Sequence, residues 1–173
     1  MTPVISTRAA RWRWLTLAVV LWAIDQAIKL GVTQTMQLYD SLPIVTGFNW
    51  VYVLNPGAAF SFLADAGGWQ RYFFTAIAFA VSAVLVVLLW RGVASKFEAL
   101  AYSLLIAGAL GNACDRLRSG AVVDYLDLYW RNWHWPAFNF ADICVSAAVL
   151  LMIMSALRQD TSTPAIEGQQ GAS

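Results

Sequence analysis

The chain contains the uncharged stretch YFFTAIAFAVSAVLVVLLW at residues 72–90. An α-helix needs about 20 apolar residues to cross the hydrocarbon core of a bilayer, and this stretch has nearly that length. The composition agrees, because 60% of the 173 residues are hydrophobic and only 12% are charged, whereas a soluble domain carries about 25% charged residues. The mean hydropathy is +0.59, and the apolar residues are grouped in long runs. The sequence therefore predicts a membrane protein with several spanning helices.

Apolar segments of spanning length occur four times when their flanking residues are included. The expected spans are about 12–32, 69–90, 99–114 and 141–157. The first has a basic start with Arg8, Arg11 and Arg13, as a signal peptide would, but no small-x-small cleavage motif follows it and three further spans do. We therefore expect one multi-pass α-helical domain over residues 1–158 and a disordered cytoplasmic tail over residues 159–173.

Basic residues in the short connections indicate the orientation of the four spans, because lysine and arginine favour the cytoplasmic side. One side carries more of them, at Arg8, Arg11, Arg13, Arg91, Lys96 and Arg158. The other side carries Arg71, Arg116, Arg118 and Arg131. The bias predicts that both termini are cytoplasmic.

Two larger loops, at about 33–68 and 117–138, then lie on the outer side. Residues 48–54 of the first loop are rich in aromatic and β-branched side chains, which predicts a strand. This strand is followed by Asn55-Pro56-Gly57, a turn signal. The second loop is strongly aromatic, and we expect it to lie on the membrane surface.

Two carboxylates stand at the rims of apolar segments, Asp124 in the second outer loop and Asp142 at the start of the last span. Charged groups in or near a bilayer are costly and often functional. Topology brings both to one membrane face. Two carboxylates within a few ångströms share a proton, so one can take a proton from water while the other protonates a carbonyl oxygen or leaving amine. This pattern indicates aspartic proteolysis.

Each aspartate also has an ordinary structural interpretation. Asn139 and Asp142 have the spacing of a helix N-cap and its N3 partner. Asp124 is compatible with a simple loop aspartate, and Asp127 competes for its role. Where the capping and catalytic interpretations both hold, the positive end of the helix dipole favours the charged form of Asp142. We then expect Asp142 to be the ionised base and Asp124 the initially protonated acid.

A second polar motif occurs near the end of the third span. Asn112, Asp115 and Arg116 share one helix face. Gly108 and Gly111 leave room for a close neighbouring helix. One interpretation is a buried polar contact that locks helices together. The other is a group that fixes the carboxylates and supplies a cation.

Other polar residues allow two interpretations each. Asp25 and Lys29 share a helix face and predict an internal ion pair, with a proton relay as the less favoured alternative. The motif Asn55–Ser61 is a turn, or a substrate-facing loop in which Asn55 binds a peptide backbone. His134, between two tryptophans, indicates an interfacial position rather than catalysis.

Several functional classes receive little support. The net charge of +1, with no basic stripe, argues against nucleic-acid binding. Cys114 and Cys144 lie in apolar segments without metal-type spacing, which predicts buried free thiols. The serine-hydrolase, zinc-protease and P-loop motifs are missing from the sequence. We expect neither a metal nor a cofactor.

At these motifs the chain resembles the bacterial lipoprotein signal peptidases, or signal peptidase II. The resemblance covers nearly the whole chain, and the shared motifs occur in the family's order. These motifs are Asp25 and Lys29, Asn55–Ser61, Gly108–Arg116, Val122–Tyr125 and Phe138–Asp142. Two departures concern local turn geometry. Pro56 stands where a small polar residue is common, and Ala107-Gly108 stands where a double glycine is common.

The resemblance implies a monomeric aspartic endopeptidase of the bacterial inner membrane that cuts prolipoproteins just before a diacylglyceryl-modified cysteine. Its site would lie toward the periplasm, in contact with membrane lipids, and globomycin would inhibit it. The family's outer β-cradle and surface-lying periplasmic helix would fit the two outer loops. Asp124 and Asp142 correspond to the catalytic pair. The groups that would bind substrate or support the pair are Asn55, Gly57, Asn112, Asp115, Arg116, Asn139, Asp25 and Lys29.

Two other functions compete with the peptidase. A proton-coupled carrier would use the aspartates, Lys29 and Arg116 as a relay, and should hold its ionisable groups near the bilayer midplane. A non-catalytic scaffold would tolerate carboxamides at both aspartates. Most ionisable groups lie toward one rim of the spans, which favours the peptidase.

Overall fold

The computed structural model describes residues 7–57 and 68–160 of the chain. This part contains four helices that are long and apolar enough to span a membrane. In chain order the elements are α1 (Arg8–Thr35), β1 (Ser41–Val45), β2 (Phe48–Asn55), α2 (Trp69–Arg91), α3 (Lys96–Ser119), β3 (Val122–Trp130), β4 (Trp133–His134) and α4 (Phe140–Asp160). The four expected spans and the small outer β-structure are confirmed.

The helices are longer than the apolar stretches that predicted them. Polar caps at Thr7, Ser95 and Asn139, rather than the first hydrophobic residue, mark where α1, α3 and α4 begin. Helix α4 continues through Asp160, into the segment that we expected to be disordered. Residues 161–173 of that segment, and residues 58–61 of the turn motif, lie outside the described residues.

Helix α3 shows how local sequence directs the chain toward the candidate site. Its first turn is capped reciprocally: Ser95 Oγ accepts from the Glu98 backbone N–H at 3.1 Å, and Glu98 Oε2 accepts from the Ala94 N–H at 3.0 Å. Its last turn ends at Gly120, whose φ of +80° favours glycine. The chain therefore leaves the helix sharply and starts β3 at the same end of the bundle.

The four strands form one antiparallel sheet in the order β1-β2-β3-β4. The predicted strand at residues 48–54 is confirmed as β2. The outer segment 117–138 differs from the expected aromatic surface loop, because half of it is β3 and β4. The physical reason is that the free edge of the β1–β2 hairpin is satisfied by pairing with β3. Asp124 is thereby held opposite Val53 of β2.

The tip of the β3–β4 hairpin keeps its aromatic side chains exposed. Trp130, Trp133 and Trp135 are 76%, 61% and 53% exposed, and tryptophan favours the membrane–water interface. The part of the chain that the structure describes holds no surface-lying helix besides the four spans. Residues 58–67, between β2 and α2, lie outside that part.

Helix α3 lies at the centre of the bundle and contacts the other three helices. Two glycines permit this packing, as the sequence predicts. A Cβ atom at Gly108 would overlap the Ala141 carbonyl oxygen, and a Cβ atom at Gly111 would lie 2.6 Å from Asp25 Oδ2. Helices α1 and α4 can therefore approach α3 closely only because these positions carry no side chain. Cys114 is half-buried and Cys144 is buried, both as free thiols.

We expect Gly111→Ala to lower the thermal unfolding temperature and the activity, because its methyl group would collide with Asp25. Overpacking of this kind costs about 1–3 kcal/mol. Gly31→Ala is the matched control, since a Cβ atom at Gly31 meets nothing within 4 Å. Equal unfolding temperatures for the two purified variants would contradict the packing described here.

Candidate active site

Asp124 and Asp142 lie at the same end of the helix bundle. Asp124 follows the end of α3 and is almost fully buried on β3, at 2% exposure. Asp142 is half-buried in the first turn of α4. This placement agrees with the prediction that both carboxylates lie at one face of the membrane. Strand β3, which carries Asp124, begins at the end of the bundle where α4 also begins.

Asn139 contacts both carboxylates. Its side-chain Nδ2 donates to Asp124 Oδ1 at 2.6 Å, and its backbone N–H donates to Asp142 Oδ2 at 3.1 Å. Its Oδ1 accepts from the Asp142 backbone N–H at 3.0 Å. The predicted capping interaction is therefore present, and the same residue also joins the two aspartates.

The remaining carboxylate oxygens also receive amide donors. Asn55 Nδ2 donates to Asp124 Oδ2 at 3.1 Å, and Asn112 Nδ2 donates to Asp142 Oδ1 at 2.7 Å. Asn139 donates further to Asn112 Oδ1, at 3.2 Å. All four carboxylate oxygens of the two aspartates thus accept from an asparagine, which holds the two groups in fixed orientations.

Gly57 positions Asn55. Its backbone N–H donates to Asn55 Oδ1 at 3.0 Å, and its φ of +100° is a conformation that glycine adopts readily. This bond turns the amide nitrogen of Asn55 toward Asp124. The turn predicted at residues 55–57 therefore supplies a donor to the site.

A buried charge cluster lies beneath the two aspartates. Lys29 Nζ is 3.0 Å from Asp25 Oδ2 and 2.7 Å from Asp115 Oδ2. The predicted Asp25–Lys29 ion pair is confirmed, and Asp115 joins it from α3. Asp25 Oδ1 also accepts from the Ala141 backbone N–H at 3.0 Å. The cluster therefore ties α1 to α3 and to the start of α4.

Two contributors were not singled out from the sequence. Gln26 Nε2 lies 3.2–3.3 Å from Asp25 Oδ2, from the Gly111 carbonyl oxygen and from Asp115 Oδ1. Tyr125 accepts from the first backbone N–H of α4, that of Phe140, at 3.0 Å. Neither residue type carries a pattern that distinguishes it from ordinary core residues. Their roles follow only from the three-dimensional packing.

Arg116 faces the site without pairing to a carboxylate among the described residues. Its Nη1 donates weakly to the Asn112 carbonyl oxygen at 3.4 Å, and its guanidinium lies 5.4 Å from the ring centre of Phe74. Its Nε is buried and has no hydrogen-bond partner in the described part of the chain. The cation expected from the sequence is therefore present near Asp124 and Asp142, which are called the dyad below. Among the described residues, not all of its N–H donors have a partner.

Asp127 belongs to a separate cluster. It accepts from Asn49 Nδ2 at 2.8 Å and lies 2.9 Å from His134 Nδ1. The His134 ring stacks on Tyr129. These contacts remove Asp127 as a competitor for the role of Asp124. They also give His134 a structural partner, which its sequence context did not predict.

Burial raises the pKa of Asp124 to about 7, and the nearby charge of Asp142 adds to this effect. The hydrogen bonds from Asn55 and Asn139 act in the opposite direction. A carboxyl group with this pKa holds its proton for about half of the time at neutral pH. Strongly shifted carboxyl groups of this kind are frequent at catalytic sites.

Comparisons with known proteins identify relatives of this chain. The family model described as signal peptidase (SPase) II matches residues 17–158. The chain is 48% identical over 150 residues to the lipoprotein signal peptidase of Aeromonas hydrophila, covering 86% of this chain and 90% of that protein. It is 46% identical over 154 residues to the lipoprotein signal peptidase of Serratia marcescens, covering 89% of this chain and 90% of that protein.

Solved structures show the same fold. A bacterial membrane enzyme determined by the in meso method at 2.3 Å resolution superposes with a TM-score of 0.75 and 31% sequence identity, covering 93% of this chain and 94% of that chain. A second, at 1.9 Å resolution, superposes with a TM-score of 0.73 and 32% identity, covering 84% and 93%. By its sequence, its fold and the match over residues 17–158, the chain belongs to the signal peptidase II family.

Proposed function

We propose that this protein is a membrane aspartic endopeptidase that removes the signal peptide from diacylglyceryl-modified prolipoproteins, cutting just before the lipidated cysteine. Family membership supports a peptidase that acts on prolipoproteins. The aspartic mechanism rests on one observation: Asn139 contacts both Asp124 and Asp142, so the two carboxylates lie at one site.

The two aspartates have different roles in the proposed reaction. Asp142 is the ionised base, because it accepts two hydrogen bonds at the positive end of α4. Asp124 is the initially protonated acid, in keeping with its raised pKa. Asp142 takes a proton from the attacking water while Asp124 protonates the scissile carbonyl oxygen. The C–N bond of the resulting gem-diol intermediate then breaks: Asp142 passes its new proton to the leaving amine, and Asp124 takes a proton back from one hydroxyl group, which leaves a carboxylic acid and restores both aspartates.

Substrate access from the lipid is supported by an apolar groove of about 480 Å³ beside the dyad. Asp142 lies in its wall, together with Leu128, Trp135, Phe138, Ile143, Ser146, Ala147 and Leu150. A peptide whose lipid anchor keeps the scissile bond at headgroup level could enter there without leaving the membrane.

The proposed orientation follows the basic residues of the sequence, with both termini in the cytoplasm and the dyad on the periplasmic side of the bacterial inner membrane. The sheet and the exposed Trp130, Trp133 and Trp135 lie at the same end as the dyad. A carrier would hold its ionisable groups near the midplane. The charge cluster instead joins the dyad through hydrogen bonds between Lys29, Asn112 and Asp142, which favours the peptidase.

We predict that Asp124→Asn and Asp142→Asn each lower the cleavage of a lipid-modified prolipoprotein by at least about 100-fold, because each removes one proton-transfer group. The variants should still insert and fold, since asparagine keeps the size of aspartate. Asp127→Asn is the matched control: Asp127 is a buried carboxylate on the same strand, but it contacts Asn49 and His134.

That control should keep most of the wild-type activity in the same assay. Substantial turnover by either dyad variant would exclude the two-carboxylate mechanism. A loss in Asp127→Asn as large as in Asp124→Asn would show that the assay reports sheet integrity instead of chemistry.

The pH dependence provides a second prediction. Because the acid form of Asp124 is required, kcat/KM should fall as the pH rises through its pKa of about 7. Asn55→Ala removes a hydrogen bond that lowers this pKa. The alkaline limb of the profile should therefore move to higher pH in that variant. A limb that moves to lower pH, or one that does not respond, would contradict the assignment of Asp124 as the acid.

A further inference from the structure

Lys29 has three polar partners in the described part of the chain, which matches the three N–H donors of an ammonium group. Two are the carboxylates of Asp25 and Asp115. The third is the side-chain oxygen of Asn112, at 3.0 Å. Lys29 is 3% exposed, so these contacts replace its hydration. Ion pairing accounts for the first two contacts but not for the third.

The third contact determines how the Asn112 amide is oriented. Lys29 can only donate a hydrogen bond, and an ionised Asp142 can only accept one. Only one orientation of the amide satisfies both neighbours, with Oδ1 toward Lys29 and Nδ2 toward Asp142. Asn139 Nδ2 also donates to Asn112 Oδ1, which favours the same orientation. A rotated amide would place nitrogen against two donors and oxygen against the carboxylate.

We propose that Lys29 is a positioning residue for the reaction, which acts through Asn112 by keeping an amide donor on Asp142 Oδ1. The proposal rests on the proposed role of Asp142 as the ionised base. Without Lys29, the Asn112 Oδ1 keeps only the donor from Asn139, so the amide rotates more readily, and each rotation removes one of the two hydrogen bonds of Asp142. Asp142 Oδ1 would then face the amide oxygen instead of the amide donor that fixes its orientation toward the attacking water.

The effect should appear in kcat more than in KM, because Lys29 lies beneath the dyad and touches no part of the apolar groove. We expect Lys29→Met and Asn112→Ala each to lower kcat by about 10-fold or more, with KM changed less than about 2-fold. The double variant should be no slower than Asn112→Ala alone, because the action of Lys29 passes through Asn112.

Gln26→Ala is the matched control for this cycle. Gln26 follows Asp25 on α1 and also bridges to α3, through Gly111 and Asp115, but it does not contact Asn112. Any fold-loss of kcat that Gln26→Ala causes should multiply with the fold-loss of kcat from Asn112→Ala when the two substitutions are combined. If the losses from Lys29→Met and Asn112→Ala multiply in the same way, Lys29 only holds helices together and the proposal is overturned.

A second pair of variants covers the case in which Lys29→Met does not fold. Combining Lys29→Met with Asp115→Asn keeps the net charge of the cluster at one negative charge, as in the wild type. This variant should fold and show a kcat that is lower than that of the wild type by about 10-fold or more, because it too lacks the Lys29 donor to Asn112. Asn112→Asp keeps an acceptor for Lys29 but removes the donor to Asp142, so it should be as slow as Asn112→Ala. Wild-type kcat in either variant would overturn the proposal.

These outcomes are separable from failure of the proposed function. If Asp142→Asn keeps substantial activity, the two-carboxylate mechanism itself fails. If Asp142→Asn is inactive while Lys29 and Asn112 behave independently, the mechanism stands and only the positioning role of Lys29 is lost.

Discussion

The hydrogen bonds of Asn139 are the interaction on which the site depends. This residue is fully buried, and it is at once the N-cap of α4 and a neighbour of both carboxylates. Because the helix terminus orients its Oδ1, its Nδ2 can point only toward Asp124 and Asn112. The start of a membrane-spanning helix thereby sets the geometry of the candidate catalytic pair.

Close packing of three helices makes that arrangement possible. Gly108 and Gly111 allow α1 and α4 to approach α3, and Lys29 then forms ion pairs with two carboxylates that would otherwise be buried without a cationic partner. Removing one member of such a cluster leaves an uncompensated charge, which is strongly destabilising. The same cluster contacts Asn112, so the packing of the helices and the chemistry of the dyad are linked through one amide group.

Much of this arrangement could be predicted from the sequence. Membrane-spanning helices appear as long apolar runs, and the order of the spans brings Asp124 and Asp142 to one face of the membrane. The Asn139–Asp142 cap and the Asp25–Lys29 pair were predictable from helical spacing alone. The pairing of β3 with β2 was not, because its aromatic residues suit a membrane surface as well as a strand.

Partners that are distant in the chain could not be read from local spacing either. The contact of Asp115 with Lys29 and the contact of Asp127 with Asn49 each join residues more than 70 positions apart.

The most direct test of the account is a ¹³C NMR titration of Asp124 in the wild type and in Asp142→Asn. We predict a pKa of about 7 for Asp124 in the wild type and a lower value in the variant, since a neighbouring negative charge has been removed. An unchanged value would contradict the claim that the two carboxylates share one site.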